Sequence, residues 1–223
     1  MLKYLPWYYL RMQVPGLRLI QLLLGLILFG VSLALLVRSD LGLDPWDVFH
    51  QSLAIRTGIP IGTVTILVGA IVLLLWVPLG QRPGIGTIAN VVLVGVSLDA
   101  TLAVMPAPTD PRLRWAFLIA GIVLNGVATG AYIGAALGPG PRDGLMVGLA
   151  NRGHSVRVVR TSIELAVLIA GWLMGGTVGI GTVLFAVTIG PIVHVTIPAL
   201  TRAPRSRPGS PPGSSEEARC ASA

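Results

Sequence analysis

The chain has 223 residues, of which 53% are hydrophobic and 11% are charged, and its mean hydropathy is +0.80. Soluble domains average about 25% charged residues, so the composition excludes an ordinary soluble domain and indicates a polytopic membrane protein. The formal net charge is +7, but the basic residues are scattered between apolar runs, which excludes a basic nucleic-acid-binding face. The single cysteine, Cys220, excludes an internal disulfide and a Cys-based metal cluster.

We predict six membrane-spanning helices, because crossing the hydrocarbon core of a bilayer takes about 20 apolar residues. The stretches that qualify are, in chain order, 17–37, 61–80, 85–105, 115–136, 158–175 and 178–199. Residues 1–16 contain Trp7, Tyr8 and Tyr9 and are predicted to lie at the level of the lipid headgroups. Residues 201–223 are rich in Pro, Ser and Arg without periodicity, which predicts a disordered cytoplasmic tail.

The distribution of Lys and Arg predicts the orientation, since cytoplasmic loops are enriched in these residues. With both termini in the cytoplasm, twelve of the sixteen lie inside: Lys3, Arg11, Arg18, Arg82, Arg142, Arg152, Arg157, Arg160, Arg202, Arg205, Arg207 and Arg219. Only Arg38, Arg56, Arg112 and Arg114 fall outside. We therefore expect both termini to lie in the cytoplasm.

A motif after the first span recurs after the fourth. LGLDPWDV (41–48) and LGPGPRDG (137–144) both place Leu-Gly, Pro and Asp at the same spacing. The same offset aligns Trp76 with Trp172, and GIGT occurs at 84–87 and 179–182. The chain is thus predicted to contain two transmembrane repeats, 17–105 and 115–200. Because each repeat has three spans, the second must enter the membrane from the opposite side, which defines an inverted repeat.

Each motif is predicted to begin a short helix, over 45–57 and 141–152, that is too short to span a bilayer. Asp44 is a favourable N-cap, Pro45 suits the first helical position, and Asp47 is expected to return a hydrogen bond to the cap backbone. In the second copy Gly140, Pro141 and Asp143 take these places. The sequence leaves open whether the two helices are re-entrant or lie at the membrane interface.

Paired short helices at corresponding places in inverted halves are a sequence pointer to a transporter binding site. Asp47, Asp143 and the adjacent Arg142 are therefore candidates for a substrate or ion pathway. The simpler alternative, that both carboxylates only cap helices, stays open.

Other polar residues are predicted within the spans. Asp99 and His194 occupy equivalent positions in the two copies and are either pathway groups or interfacial side chains that reach water. Glu164 follows Arg160 by four residues and forms either a structural ion pair or a relay carboxylate. Asn125 is an uncharged candidate. His50 and His154, beside the short helices, are expected to be exposed.

PWDV after the first span, GPRDGL after the fourth, TGIPIG (57–62) and the turn LGQRPGIGT (79–87) resemble the YczE/YitT-type bacterial integral membrane proteins. The resemblance is closest to the YczE branch and extends over about residues 16–200. It implies a multi-pass protein of the bacterial cytoplasmic membrane, but it supplies no reaction and no established functional residues.

The sequence favours a transporter-like permease for a small solute or ion, embedded in the lipid bilayer. The alternative is a non-transporting membrane accessory that supports a partner in secretion or biosynthesis. No catalytic motif, metal-ligand spacing or cofactor-binding motif is present, so the chain is not expected to be an enzyme, and no nucleic-acid partner is expected. The sequence leaves open whether the chain forms a homodimer.

Overall fold

A computed structural model describes residues 16–201, and all regular structure in this range is helical. Eight helices follow in order: α1 Gly16–Ser39, α2 Pro45–Thr57, α3 Ile61–Trp76, α4 Ile85–Val104, α5 Pro111–Gly134, α6 Pro141–Ala150, α7 Val156–Leu173 and α8 Ile180–Leu200. The headgroup segment predicted for 1–16 and the tail predicted for 201–223 lie almost entirely outside the described residues.

Four of the described helices, α1, α4, α5 and α8, are long and apolar enough to cross a membrane. Helices α2 and α3 are bent by 115° at the short break between them, and the pair counts as a fifth candidate if it is one broken span. Helix α7 coincides with the predicted fifth span and contains Arg157, Arg160 and Glu164. The structure thus supports four to five candidate spans out of the six predicted from the sequence.

Helices α1 and α5 form the centre of the molecule. They run antiparallel, because Gln21 near the start of α1 donates a hydrogen bond to the Ala131 carbonyl near the end of α5 (3.0 Å). At the other end, the Arg114 side chain of α5 donates to the carbonyl of Ser39 (2.8 Å). Buried leucines from both helices, including Leu26 and Leu118, form the main apolar core with residues of α4 and α8.

The two halves of the described chain have the same order of long and short helices, and corresponding helices start 95 or 96 residues apart. Each half also donates one backbone hydrogen bond to the other. Gly86 N donates to Leu137 O (2.9 Å), and Gly181 N donates to Leu41 O (2.7 Å). A side chain at Gly84 or Gly179 would meet the same carbonyl oxygens, at 2.6 and 2.5 Å. Each GIGT sequence therefore begins a helix, and its glycines leave room for the Leu-Gly of the other half.

The halves differ in how their third and fourth helices pack. Helix α3 lies against α4, where a side chain at Gly95 would collide with the carbonyl oxygen of Gly62. The corresponding Gly190 of α8 has nothing within 4 Å of an added Cβ. Helix α7 instead packs mainly against α2, where Gly171 lies close to the Phe49 backbone.

Candidate functional site

The N-terminal ends of the two short helices meet inside the protein. Arg142, at the start of α6, places its guanidinium 3.4 Å from Asp47 Oδ1 and 3.9 Å from Asp44 Oδ2, both at the start of α2. The side chains of Asp44 and Asp47 are 9% and 2% exposed, and that of Arg142 is 24% exposed. We call Asp44, Asp47, His50 and Arg142 the charged cluster.

The beginning of α2 explains why two carboxylates lie so close together. Asp44 Oδ1 accepts a hydrogen bond from Asp47 N (2.7 Å), so Asp44 is the predicted N-cap, with Pro45 in the first helical position. Gly58 ends the helix in the left-handed conformation, at φ 72°. Asp47, in contrast, does not bond back to the cap backbone as expected: its Oδ1 contacts His50 and Arg142 instead.

His50 is buried, whereas the sequence predicts an exposed side chain. Its ring is 1% exposed, and Nδ1 lies 3.0 Å from Asp47 Oδ1 and 3.2 Å from Thr65 Oγ1 of α3. The reason is that Asp47 and His50, three residues apart, share one helix face, and that face packs into the protein. This spacing was the signal that the sequence interpretation missed, and the second copy has Met146 instead.

Arg142 connects the two halves. Besides its two carboxylate contacts, its Cζ atom lies 5.1 Å from the centre of the Trp46 ring, in cation–π range. The adjacent Asp143 turns away from this contact: its Oδ2 accepts a hydrogen bond from the Tyr132 hydroxyl of α5 (3.0 Å). Both candidate carboxylates, Asp47 and Asp143, thus lie at the tips of the short helices, but in different environments.

Unsatisfied polar atoms concentrate at this site. Among the described residues, four buried side-chain polar atoms lack a hydrogen-bond partner, and three of them are Trp46 Nε1, Asp47 Oδ2 and His50 Nε2. Leaving a buried polar atom unpaired costs about 1–3 kcal/mol, and such atoms are rare in folded proteins. Their clustering indicates a site that accommodates a ligand or an additional proton.

The other predicted pathway residues lie elsewhere. Asp99 accepts hydrogen bonds from Gly62 N (2.7 Å), Thr63 N (2.8 Å) and Thr63 Oγ1 (3.0 Å), so it caps the start of α3 from α4. Its sequence counterpart, His194, is exposed on α8. The structure does not bring either residue into the charged cluster, and a pathway role for them stays a prediction.

Glu164 and Asn125 have local partners. Glu164 Oε1 pairs with Arg160 Nε at 2.9 Å, as their spacing on one helix face allows. Asn125 is buried between α5 and α1 and donates to Ser32 Oγ (3.0 Å). Each contact gives its residue a structural role, and neither residue belongs to the charged cluster. Within residues 16–201, no group of three or more His, Cys, Asp and Glu side chains is arranged to hold a metal ion.

Replacing Asp99 by Ala is expected to destabilise the protein by about 2 kcal/mol, because three donors at the start of α3 lose their acceptor. The matched control is His194→Ala, at the equivalent position of the second copy, which is expected to change the stability by less than about 0.5 kcal/mol. Thermal unfolding of the two purified variants measures the difference. Equal loss of stability in both would contradict the capping role of Asp99.

Comparison with known proteins places the chain in a family. A family of unknown function, DUF6198, matches residues 16–198, and the chain belongs to it. The chain is 42% identical to an uncharacterized protein of Haemophilus influenzae over 82% of its own length and 84% of the relative's. It is 39% identical to the uncharacterized membrane protein YczE of Bacillus subtilis, over 78% and 82% of the two chains. This confirms the resemblance to the YczE type. No solved structure matches.

Proposed function

We propose that this DUF6198 member is a permease for a small solute in the bacterial cytoplasmic membrane. The single observation behind the proposal is the contact between Arg142 of the second half and Asp44 and Asp47 of the first, at the tips of two short helices. In transporters built from inverted repeats, discontinuous helices meet near the middle of the bilayer, and their tips form the substrate and ion sites.

The two halves are proposed to be inverted repeats with three crossings each: α1, α3 and α4, then α5, α7 and α8. The exchanged bonds Gly86–Leu137 and Gly181–Leu41 support this, because equivalent residues of the two halves make equivalent contacts with each other. Twelve of sixteen cationic residues then lie on the cytoplasmic side with both termini, in agreement with the positive-inside rule.

Helices α2 and α6 are proposed to be re-entrant, entering from opposite faces. The first half of α2, from Trp46 to Ser52, is mostly buried, whereas residues 55–60 are exposed, so the helix runs outward from the centre. Helix α6 repeats this pattern, with exposed residues from 151 onward. Non-helical backbone at membrane depth is tolerated only where protein or a water-filled cavity surrounds it, and burial at the tips meets that condition.

The charged cluster is then the contact that opens and closes. While Arg142 is bound to Asp44 and Asp47, the tips of α2 and α6 are joined and the path between the halves is shut. A small polar solute that binds Trp46 Nε1 or Asp47 Oδ2 competes with this contact and permits the halves to separate. Asp143, held by Tyr132, fixes the orientation of the α6 tip during this motion.

The proposal is tested with purified protein in two steps. A thermal-shift screen against metabolites identifies solutes that stabilise the protein by mass action. Each such solute is then tested for uptake into reconstituted vesicles. Asp47→Asn is expected to reduce the initial rate at least about tenfold, because the variant loses the charge that pairs with Arg142.

Asp110→Asn is the matched control, since Asp110 is an exposed carboxylate whose cap contact to Arg112 N is retained by the amide of Asn. It is expected to transport at the wild-type rate. Wild-type uptake by Asp47→Asn would contradict the proposed gate. Absence of any stabilising solute, together with a stably co-purifying protein, would favour the membrane accessory instead.

A further inference from the structure

We infer that the coupling ion is a proton, which binds at Nε2 of His50 and releases Arg142 from Asp47. The inference rests on the proposed permease function and names its energy source. Its evidence is the arrangement of hydrogen-bond donors and acceptors around the buried imidazole.

The two nearest neighbours of His50 Nδ1 are acceptors, so we place the hydrogen of the neutral ring on Nδ1. Its neighbour Asp47 Oδ1, at 3.0 Å, is a carboxylate oxygen and accepts hydrogen bonds only. Its other neighbour, Thr65 Oγ1 at 3.2 Å, already donates its hydroxyl hydrogen to the carbonyl oxygen of Ile61 (2.9 Å), so towards His50 it is also an acceptor. A third neighbour, Arg142 Nη2, can only donate, but at 3.4 Å it is the most distant of the three. The two nearer acceptors favour an N–H on Nδ1, and Arg142 then makes no hydrogen bond to this nitrogen.

Nε2 is therefore a bare lone pair in the neutral ring. It is buried and has no donor among the described residues, as is also true of Asp47 Oδ2. When Asp44 and Asp47 are both ionised, the cluster contains two carboxylates against one guanidinium, which leaves one negative charge uncompensated. A single unit of positive charge balances the site and satisfies Nε2. Hard cations such as Ca²⁺ and Mg²⁺ prefer oxygen ligands, whereas the lone pair of an imidazole nitrogen accepts a proton.

Proton binding has a defined consequence for Arg142. A proton from water adds to the lone pair of Nε2, no bond is broken, and the imidazole becomes an imidazolium with a charge of +1. Arg142 Nη2 lies 3.4 Å from Nδ1 of the same ring, so two cations then compete for Asp47 Oδ1. The imidazolium is held by its existing Nδ1–H bond to Asp47, and the longer contact of Arg142 is the one that breaks. Separation of the α2 and α6 tips follows.

The other charged side chains on the helices packed around His50 are paired with other residues or exposed, so they do not take part in this competition. Helix α3 faces His50 with Thr65 and contains no ionisable residue. From α6 comes Arg142, whose neighbour Asp143 is bonded to Tyr132. On α7, the charged side chains of Arg160 and Glu164 pair with each other, and Arg157 is exposed. The charges that determine proton binding at His50 are thus Asp44, Asp47 and Arg142.

The test is nitrogen NMR of the full-length protein in lipid nanodiscs, with ¹⁵N-labelled histidine. Substituting the exposed His154 and His194 by Gln leaves one imidazole, since the chain has three histidines. At high pH, we expect a neutral ring with the hydrogen on Nδ1. On acidification from about pH 6.5 to about pH 4, Nε2 is expected to take up a proton, since burial disfavours the charged imidazolium relative to an exposed ring. Arg142→Gln is expected to move this uptake to higher pH by about one unit or more, because a neighbouring positive charge is removed.

Three results would overturn the inference. They are a ring with the hydrogen on Nε2 at high pH, no protonation of the ring in this pH range, or a response to Na⁺ in place of the response to pH. The experiment needs no solute, so it separates the inference from the proposed transport. Proton uptake by His50 without solute flux would argue against the permease alone, and flux without proton uptake would argue against the coupling alone.

Discussion

Replacing Arg142 by Gln is expected to destabilise the protein by about 3–5 kcal/mol, measured as a lower midpoint of thermal unfolding in detergent. Asp44 and Asp47 are almost fully buried and share Arg142 as their cation. Without it, two carboxylates remain close together in a poorly solvated site, and each raises the energy of the other. This is the largest effect expected from any single substitution in the charged cluster.

A second substitution distinguishes loss of charge pairing from a general packing defect. Asp47→Asn introduced into Arg142→Gln removes one of the uncompensated charges and is expected to recover at least about 1 kcal/mol. Arg157→Gln, an exposed arginine in the first turn of α7, is the control and is expected to leave the stability almost unchanged. Arg142→Gln with wild-type stability would mean that the carboxylates do not depend on the guanidinium.

Gly95→Ala and Gly190→Ala are expected to have opposite effects, although the two glycines correspond in the repeat. A methyl group at Gly95 collides with the backbone carbonyl of Gly62, and neither helix can yield without separating α3 from α4. We expect a loss of at least about 3 kcal/mol, at the upper end for overpacking. At Gly190 the methyl group meets open space, and the higher helix propensity of Ala is worth up to about 1 kcal/mol of added stability. Thermal unfolding of the two variants in the same detergent measures both effects, and equal destabilisation would contradict the observed packing of α3 on α4.

The short helices could be predicted from the sequence because their signals are local. Asp44 before Pro45 specifies the start of α2, and Gly58 specifies its end, through capping and backbone preferences that involve only a few neighbouring residues. The same holds for α6, although it ends at Ala150 and not at 152 as expected. The Arg160–Glu164 pair was also predictable, because helical spacing alone places the two side chains together.

The contact between the two short helices was not predictable in the same way. Asp47 and Arg142 are 95 residues apart, and only the folding of α1 against α5 brings their helix tips together. Residues at corresponding positions of the two halves also differ in how far they are buried. Trp76 is buried and donates to the Pro141 carbonyl (3.0 Å), whereas its counterpart Trp172 is 62% exposed. The burial of His50 was unpredictable for the same reason. The helix face that it shares with Asp47 is apparent from the sequence, but the helices that cover this face are not.

The proposed inverted arrangement of the two halves is tested most directly by cysteine labelling. In a Cys220→Ser background, which removes the native cysteine, single cysteines are placed at the exposed outer ends of the short helices, as Thr57→Cys and Asn151→Cys. A membrane-impermeant maleimide is applied to intact spheroplasts and to inside-out vesicles. We predict that Thr57→Cys reacts only in spheroplasts and Asn151→Cys only in inside-out vesicles. Reaction of both cysteines from the same side would contradict the inverted repeat.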